Sequence, residues 1–293
     1  MSVSPFPGHG PKPSFPHFTP NRWAISTPPQ REWMVEGCVP KGSVVILAGD
    51  GGLGKSLLCQ QLMTAAALGH NWLGMPTQKS RSLAVFCEDE PDELHRRQAD
   101  ICAHYGCRMS DLEGVAMASR VGEDSVLMSF KQWGDDSGRE TPLFGEIRNA
   151  AKAHKANLVF LDTAADVYSG NEIDRVQVRT FIRHLRRLAI ELQGAVILTQ
   201  HPSNEGMNSG SGRSGSTGWH NSVRSRLYLT APKAKTGDED KPSDIRHLKT
   251  MKANYGKWGG KLEIQWKRGV FEVVNNEPET PYWTRETDTT PPF

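Results

Sequence analysis

The sequence predicts an α/β fold: a mostly parallel central sheet flanked by helices and extended by late antiparallel strands. Three observations predict it. Gly49-Asp50-Gly51-Gly52-Leu53-Gly54-Lys55-Ser56 joins a buried-type strand, residues 44–48, to an apolar-periodic segment, residues 57–68. Further short apolar runs alternate with helical patterns over the first two-thirds of the chain. Beyond residue 226, strand-like runs follow one another without helices between them.

Taken in order, residues 1–30 are rich in proline and poor in aliphatic side chains, which reads as a flexible arm. Order is expected from about Trp33-Met34-Val35. A second buried-type strand covers residues 82–87, and Pro91 suits the first turn of a helix reaching about His104. Residues 115–121 form a further strand candidate. Residues 122–140 are mixed, with a turn at 133–138. Leu143, Ile147 and Ala150/Ala151 give residues 141–154 a helical period, and 158–161 is the third strand, ended by Asp162.

The longest helix candidate spans 172–193. Ile173, Val176, Phe181, Leu185, Leu188 and Leu192 are assigned to its apolar face. Arg175, Arg179, Arg183, Arg186 and Arg187 make much of it basic: a solvated face or a contact surface. Residues 195–198 form the fourth strand. The Gly- and Ser-dense stretch 203–218 reads as a long mobile loop. Strand-like runs follow at 226–230, 246–253, 261–266 and 270–274, with a polar turn at 237–240. These four are expected to extend the sheet as antiparallel hairpins.

Composition removes several classes. The 293 residues carry 35 Lys and Arg against 33 Asp and Glu, a net charge of +2, so this is no strongly basic nucleic-acid coat. The five cysteines have neither the pairing of a disulfide framework nor the spacing of a zinc site, and suit a reducing, cytoplasmic setting. No basic start with an apolar run marks a signal peptide, and no apolar stretch approaches the ~20 residues that span a membrane.

The segment 49–56 matches G-x-x-x-x-G-K-[ST], which would arise by chance in such a chain roughly once in a hundred. A strand, a glycine turn and a helix N-terminus point backbone N–H groups at one spot, where the helix dipole adds positive potential. Gly49, Asp50, Gly51, Gly52, Leu53, Gly54 and Leu57 are therefore assigned to nucleotide phosphates. Lys55 would reach the β/γ-phosphates, and the Ser56 hydroxyl would ligate Mg²⁺. The implied ligands are ATP and Mg²⁺.

Hydrolysis also needs a carboxylate near the metal, a group that activates water and positive charge for the transition state. Strand C-termini are where an open α/β sheet places its ligand site. Asp162 ends its strand as a metal-holding carboxylate. Glu88 and Asp89 end another; Glu88 is the candidate base and Asp89 a secondary metal-site residue. Gln200 and His201 end the fourth, positioned to report the γ-phosphate.

The series GDGGLGKS, CEDE, LVFLD, TQHPS, NSVRSRLYL and KANYG resembles the RepA-type hexameric replicative helicases of plasmids and phages, within the RecA/DnaB class of P-loop ATPases. The likeness covers about 33–274 and implies a RecA-like ATPase domain over 31–275, between the 1–30 arm and a flexible tail at 276–293. It implies catalysis by Glu88, γ-phosphate sensing by His201 and an arginine finger acting in the neighbouring subunit. Arg224 fits that finger in Asn221-Ser222-Val223-Arg224, with Arg226 as runner-up. The DnaB branch carries a K-x-R-N-G motif; here Lys252-Ala253-Asn254-Tyr255-Gly256 keeps the lysine and has asparagine in the arginine's place. Lys252 is thus a trans candidate.

The resulting expectation is an ATP-driven motor on single-stranded DNA, built as a homo-oligomeric, hexameric ring, with the 203–218 loop and its Arg213 as the moving DNA contact. The alternatives are a RecA-like recombination or accessory ATPase, and a regulatory P-loop ATPase that does not act on DNA.

Overall fold

The computed structural model describes residues 17–130, 137–202, 217–232, 243–256 and 259–274. The chain divides into a short unit, Met1–Arg31, and a large one, Glu32–Phe293. Within the described part of the short unit, Pro20–Trp23 forms a single 3₁₀ turn, started by proline where a helix N-terminus tolerates it.

The large unit opens with a small hairpin, β1 (Trp33–Val35) and β2 (Val39–Pro40). Then come β3 (Ser43–Gly49), α1 (Lys55–Leu68), β4 (Ser82–Phe86), α2 (Pro91–Tyr105) and β5 (Val115–Ser119). A two-residue pair, β6 (Met128–Ser129) and β7 (Arg139–Glu140), precedes α3 (Pro142–Ala153) and β8 (Leu158–Asp162). The chain continues through α4 (Ala164–Val167), α5 (Arg175–Glu191), β9 (Ala195–Gln200) and α6 (Thr217–Ser222). It closes with β10 (Ser225–Thr230), β11 (Ile245–Ala253), β12 (Lys261–Lys267) and β13 (Val270–Val273).

Nine described strands form one sheet in the order β13-β12-β11-β10-β3-β9-β8-β4-β5. Successive side chains of each central strand face opposite ways, so two cores form. Val45 and Leu47 join a cluster with Leu58, Leu62, Leu94 and Ile101, which places α1 and α2 on one face. Val44 and Ile46 join Phe144, Ile147, Phe181, Leu185 and Trp219, which places α3, α5 and α6 on the other. Both faces are covered, and β3 is buried throughout, as a central parallel strand requires.

Two expectations change. The run at 226–230 joins both patterns: β10 lies parallel to β3 on one side and pairs antiparallel with β11 on the other, and β12 and β13 continue the antiparallel extension. The connection from β9 passes through α6, which packs on α5, and so returns the chain to the starting edge of the sheet. In α5, Ile173 and Val176 are not core residues; they are 68% and 48% exposed. The helix begins later than its periodicity suggested, at Arg175, because the Asp174 carboxylate accepts the Val176 and Gln177 N–H groups and caps it. Val178 and Ile182 fill the buried face instead.

The turn at 237–240 and most of the 203–218 stretch, including Arg213, lie outside the described residues, as does the 276–293 tail. Among the described residues no helix is long and apolar enough to cross a membrane.

Candidate nucleotide-hydrolysis site

The glycine turn sits between β3 and α1, at the C-terminal end of the parallel strands. Gly54 has φ +97°, a left-handed conformation that glycine adopts without a Cβ penalty. A Cβ there would also lie 2.5 Å from the Phe271 ring. Gly49 is constrained by approach: an added Cβ would stand 3.0 Å from the Leu229 carbonyl of the adjacent strand. The loop is therefore packed from beneath by β10 and from one side by β13.

Phe271 is itself held in place. The Gln61 side chain on α1 donates to the Phe271 carbonyl at 3.0 Å and accepts its N–H at 2.9 Å. That pair satisfies an otherwise open stretch of the edge strand and ties it to the helix that leaves the loop.

Lys55 is buried, and its ammonium donates to the Gly49 and Asp50 carbonyls at 2.9 and 3.0 Å. Burial holds its pKa below the ordinary lysine value, against the attraction of Asp162 and Glu88. Asp50 turns its own carboxylate onto the Gly51 N–H at 2.7 Å, which shapes the exposed crown of the loop.

Asp162 ends β8 at 1% exposure. Thr199 donates to its Oδ1, and the Ser56 hydroxyl is close enough to favour the charged carboxylate. Its Oδ2 is buried with no hydrogen-bond partner. Burial pushes the Asp162 pKa up, with the Ser56 and Thr199 hydroxyls opposing it. A buried carboxylate oxygen without a partner, next to the Ser56 hydroxyl, fits a divalent cation. Among the described residues no group of three or more His, Cys, Asp or Glu could hold a metal by itself. Mg²⁺ usually takes one or two protein ligands and the substrate's phosphates.

Glu88 follows β4, and His201 follows β9. Their side chains approach to 3.9 Å, His201 Nε2 to Glu88 Oε1. Partial burial raises the Glu88 pKa, and the Asp162 charge raises it further. Both residues line a cleft of about 430 Å³ together with Gly51, Gly52, Lys55 and Asp162. Leu53, Gly54, Ser56 and Leu57 line it too. Strands β3, β9, β8 and β4 are neighbours in the sheet, so their ends converge without any long-range loop.

Four expected residues stand elsewhere or are otherwise engaged. Asp89 lines the cleft, but its two oxygens take the Arg97 guanidinium at 2.6 and 2.9 Å, so it is an ion-pair partner rather than an open metal ligand. Gln200 is buried beside Ala48 and does not line the cleft. Arg226, the alternative finger, is 1% exposed inside the sheet, between Ile46 and Lys252, and is no projecting surface arginine. Lys252 donates to the His220 and Asn221 carbonyls at 2.7 and 3.4 Å, holding the C-terminal end of α6 in its own subunit.

Arg224 lies just before β10, whose Ser225 is level with Val45 and whose Leu229 is level with Gly49. It is thus five residues below the phosphate loop, about 16 Å along the strands, at their N-terminal end. No arginine side chain spans that distance to its own loop.

The cleft also contains residues that the sequence did not single out: Arg97, Asp244, Arg246 and Trp266, besides Phe271. Trp266 is on the same face of β12 as Leu262 and Ile264, but it passes the rim of the core and stays 45% exposed. Its backbone N–H donates to the Asp244 carbonyl at 2.8 Å. The Arg246 guanidinium bonds the Ser243 and Ile245 carbonyls beside it. The available signal was a tryptophan at the end of a strand whose inward positions were otherwise aliphatic.

A family model described as an AAA domain matches residues 11–207, two-thirds of the chain. No curated protein matches it. The matched stretch contains the phosphate loop, Glu88, Asp162 and His201, and stops before Arg224 and the last four strands. With a loop of this geometry at the ends of these strands, the chain belongs to the AAA-domain family of P-loop ATPases.

Proposed function

We propose that this ATPase is a motor on single-stranded DNA, a RepA-like replicative helicase working as a homo-oligomeric ring with ATP sites between subunits. The observation that carries the reading is the level of Arg224. The cleft contains a phosphate loop, a metal-holding carboxylate and a base, and its own candidate finger lies a sheet's height away. A neighbouring subunit that presents Arg224 to the cleft would complete the positive charge that phosphoryl transfer needs.

In this reading Lys55 and the loop N–H groups bind the β/γ-phosphates. Mg²⁺, held by Ser56 and Asp162, would neutralise charge on the phosphate oxygens. Glu88 orients the attacking water and takes its proton at a carboxylate oxygen. His201, beside Glu88 and one step before the 203–218 stretch, responds to the γ-phosphate and passes its loss to the DNA-contacting segment. Trp266 offers the nucleotide base a flat apolar surface at the cleft rim.

The test is ATP turnover with and without single-stranded DNA, combined with subunit mixing. Arg224→Ala and Glu88→Gln should each be inactive alone, and their mixture should recover part of the activity, because some interfaces then pair an intact Glu88 with an intact Arg224. No recovery removes the trans finger. No stimulation by DNA moves the assignment to a regulatory ATPase.

A further inference from the structure

The exposed side of α5 carries a feature that nucleotide hydrolysis leaves unused. Five arginines lie between positions 175 and 187 with no Asp or Glu among them, in a chain whose charges otherwise nearly cancel. Arg175, Arg179, Arg183 and Arg187 are all exposed; Arg186 is half-buried and falls outside the row. They repeat at i,i+4, so each step rises about 6 Å and the row is about 18 Å long. Like charges at that spacing repel, and cations in the first turn of a helix oppose its dipole. Among the described residues only the Asp174 N-cap carboxylate, at the first turn, offsets these costs. The acids of this face are engaged elsewhere: Glu140 pairs with Arg148 and His184, and Glu191 with Arg148 and Lys152. Among the described residues none of the four row arginines takes part in an ion pair or hydrogen bond.

Protein–protein interfaces also use arginine, but set it among aromatic and apolar anchors and deplete the centre of other charge. This row lacks those anchors: it is four guanidinium groups with no aromatic residue, and its exposed aliphatics, Ile173, Val176 and Ile190, lie towards the ends. A same-sign row with regular steps suits a same-sign polymer with regular steps.

We propose that the Arg175–Arg179–Arg183–Arg187 row is a track for the phosphate backbone of single-stranded DNA. It rests on the reading of the chain as a motor on such DNA, and adds a contact on a rigid helix to the one expected of the 203–218 loop. The track neutralises phosphates without reading bases, so its contribution is salt-dependent and indifferent to sequence.

The experiment is equilibrium binding of fluorescent oligo-dT to the full chain across a salt series, in the presence of a non-hydrolysable ATP analogue. Each phosphate contact on a single strand contributes about 0.7 to the slope of log K against log salt. The triple variant Arg179→Gln, Arg183→Gln, Arg187→Gln should lower that slope by about 2. The corresponding triple Arg→Lys variant should keep it, which separates lost charge from lost folding. ATP turnover without DNA should be unchanged in both, since none of these residues lines the cleft. A glutamine variant with the parental slope overturns the proposal alone, leaves the motor reading standing, and points to an acidic protein surface for α5. A parent chain that binds no oligo-dT at any salt overturns both.

Discussion

Replacing Asp162 with asparagine should make the nucleotide-free protein more stable while it abolishes turnover. Asp162 is 1% exposed and its Oδ2 has no partner. An unsatisfied buried polar group costs about 1–3 kcal/mol, more when charged. Asparagine keeps the shape and still accepts from Thr199, but removes the charge, so a gain of about 1–2 kcal/mol is expected. The direction of the pKa already includes the attraction of Lys55, which burial outweighs. The sign with pH follows. The folded pKa is raised, so the carboxylate's cost is absent below the ordinary aspartate value. It grows as pH rises above that value, because the unfolded chain ionises first, and is complete once pH exceeds the raised folded value. The gap between variant and parent should thus be near zero at the acid end and widen as pH rises to 7.5. For a domain of this size, 1–2 kcal/mol corresponds to a Tm rise of about 2–8 °C. Thermal unfolding in chelator without nucleotide measures it. Adding ATP and Mg²⁺ should then raise the parent's Tm and move the variant's much less. A variant at or below parental stability at pH 7.5 would refute the argument, because the carboxylate would then be a paired structural group rather than one kept open for a cation.

Gly54→Ala combines left-handed strain with a Cβ 2.5 Å from Phe271; at about 1–3 kcal/mol for each effect, unfolding should show a loss of about 2–6 kcal/mol, and nucleotide binding should fall with it. Trp266→Ala removes an exposed aromatic surface from the cleft rim, and aromatic–base stacking is worth about 1–3 kcal/mol; KM for ATP should rise about 5- to 150-fold in steady-state assays, with kcat nearly unchanged. The acid limb of kcat should lie above the ordinary glutamate range, because burial and Asp162 raise Glu88, and His201→Ala should move that limb further up by removing the one histidine that lowers it; a downward move would detach Glu88 from the profile. Arg97→Ala should free both Asp89 oxygens, and stability should fall by about 1–3 kcal/mol while Lys55-dependent nucleotide binding persists in a filter assay.

The phosphate loop, the four parallel strands that surround it, and Glu88, Asp162 and His201 at their ends were all legible in the chain. Each rests on a local signal: a glycine pattern, an apolar run of strand length, a polar residue where the run stops. A parallel sheet then brings those ends to one edge by its own geometry. What the sequence could not decide depended on register between distant segments. Ser225 is level with Val45, and that single alignment buries Arg226 and puts Arg224 far from its own loop. The α2 helix carries Arg97 back to Asp89, two turns after the strand that Asp89 follows. The β11–β12 pairing brings Arg246 and Trp266 to the cleft from 190 and 210 residues beyond Ser56, the end of the loop. Hydrophobic periodicity states which way a side chain faces, and it was misleading even there for Ile173 and Val176, where a capping aspartate set the helix start. The sequence by itself determined what chemistry this protein has; only the folded sheet decided which charges share a site, because backbone register, invisible to composition or period, sets the distances over which charges act.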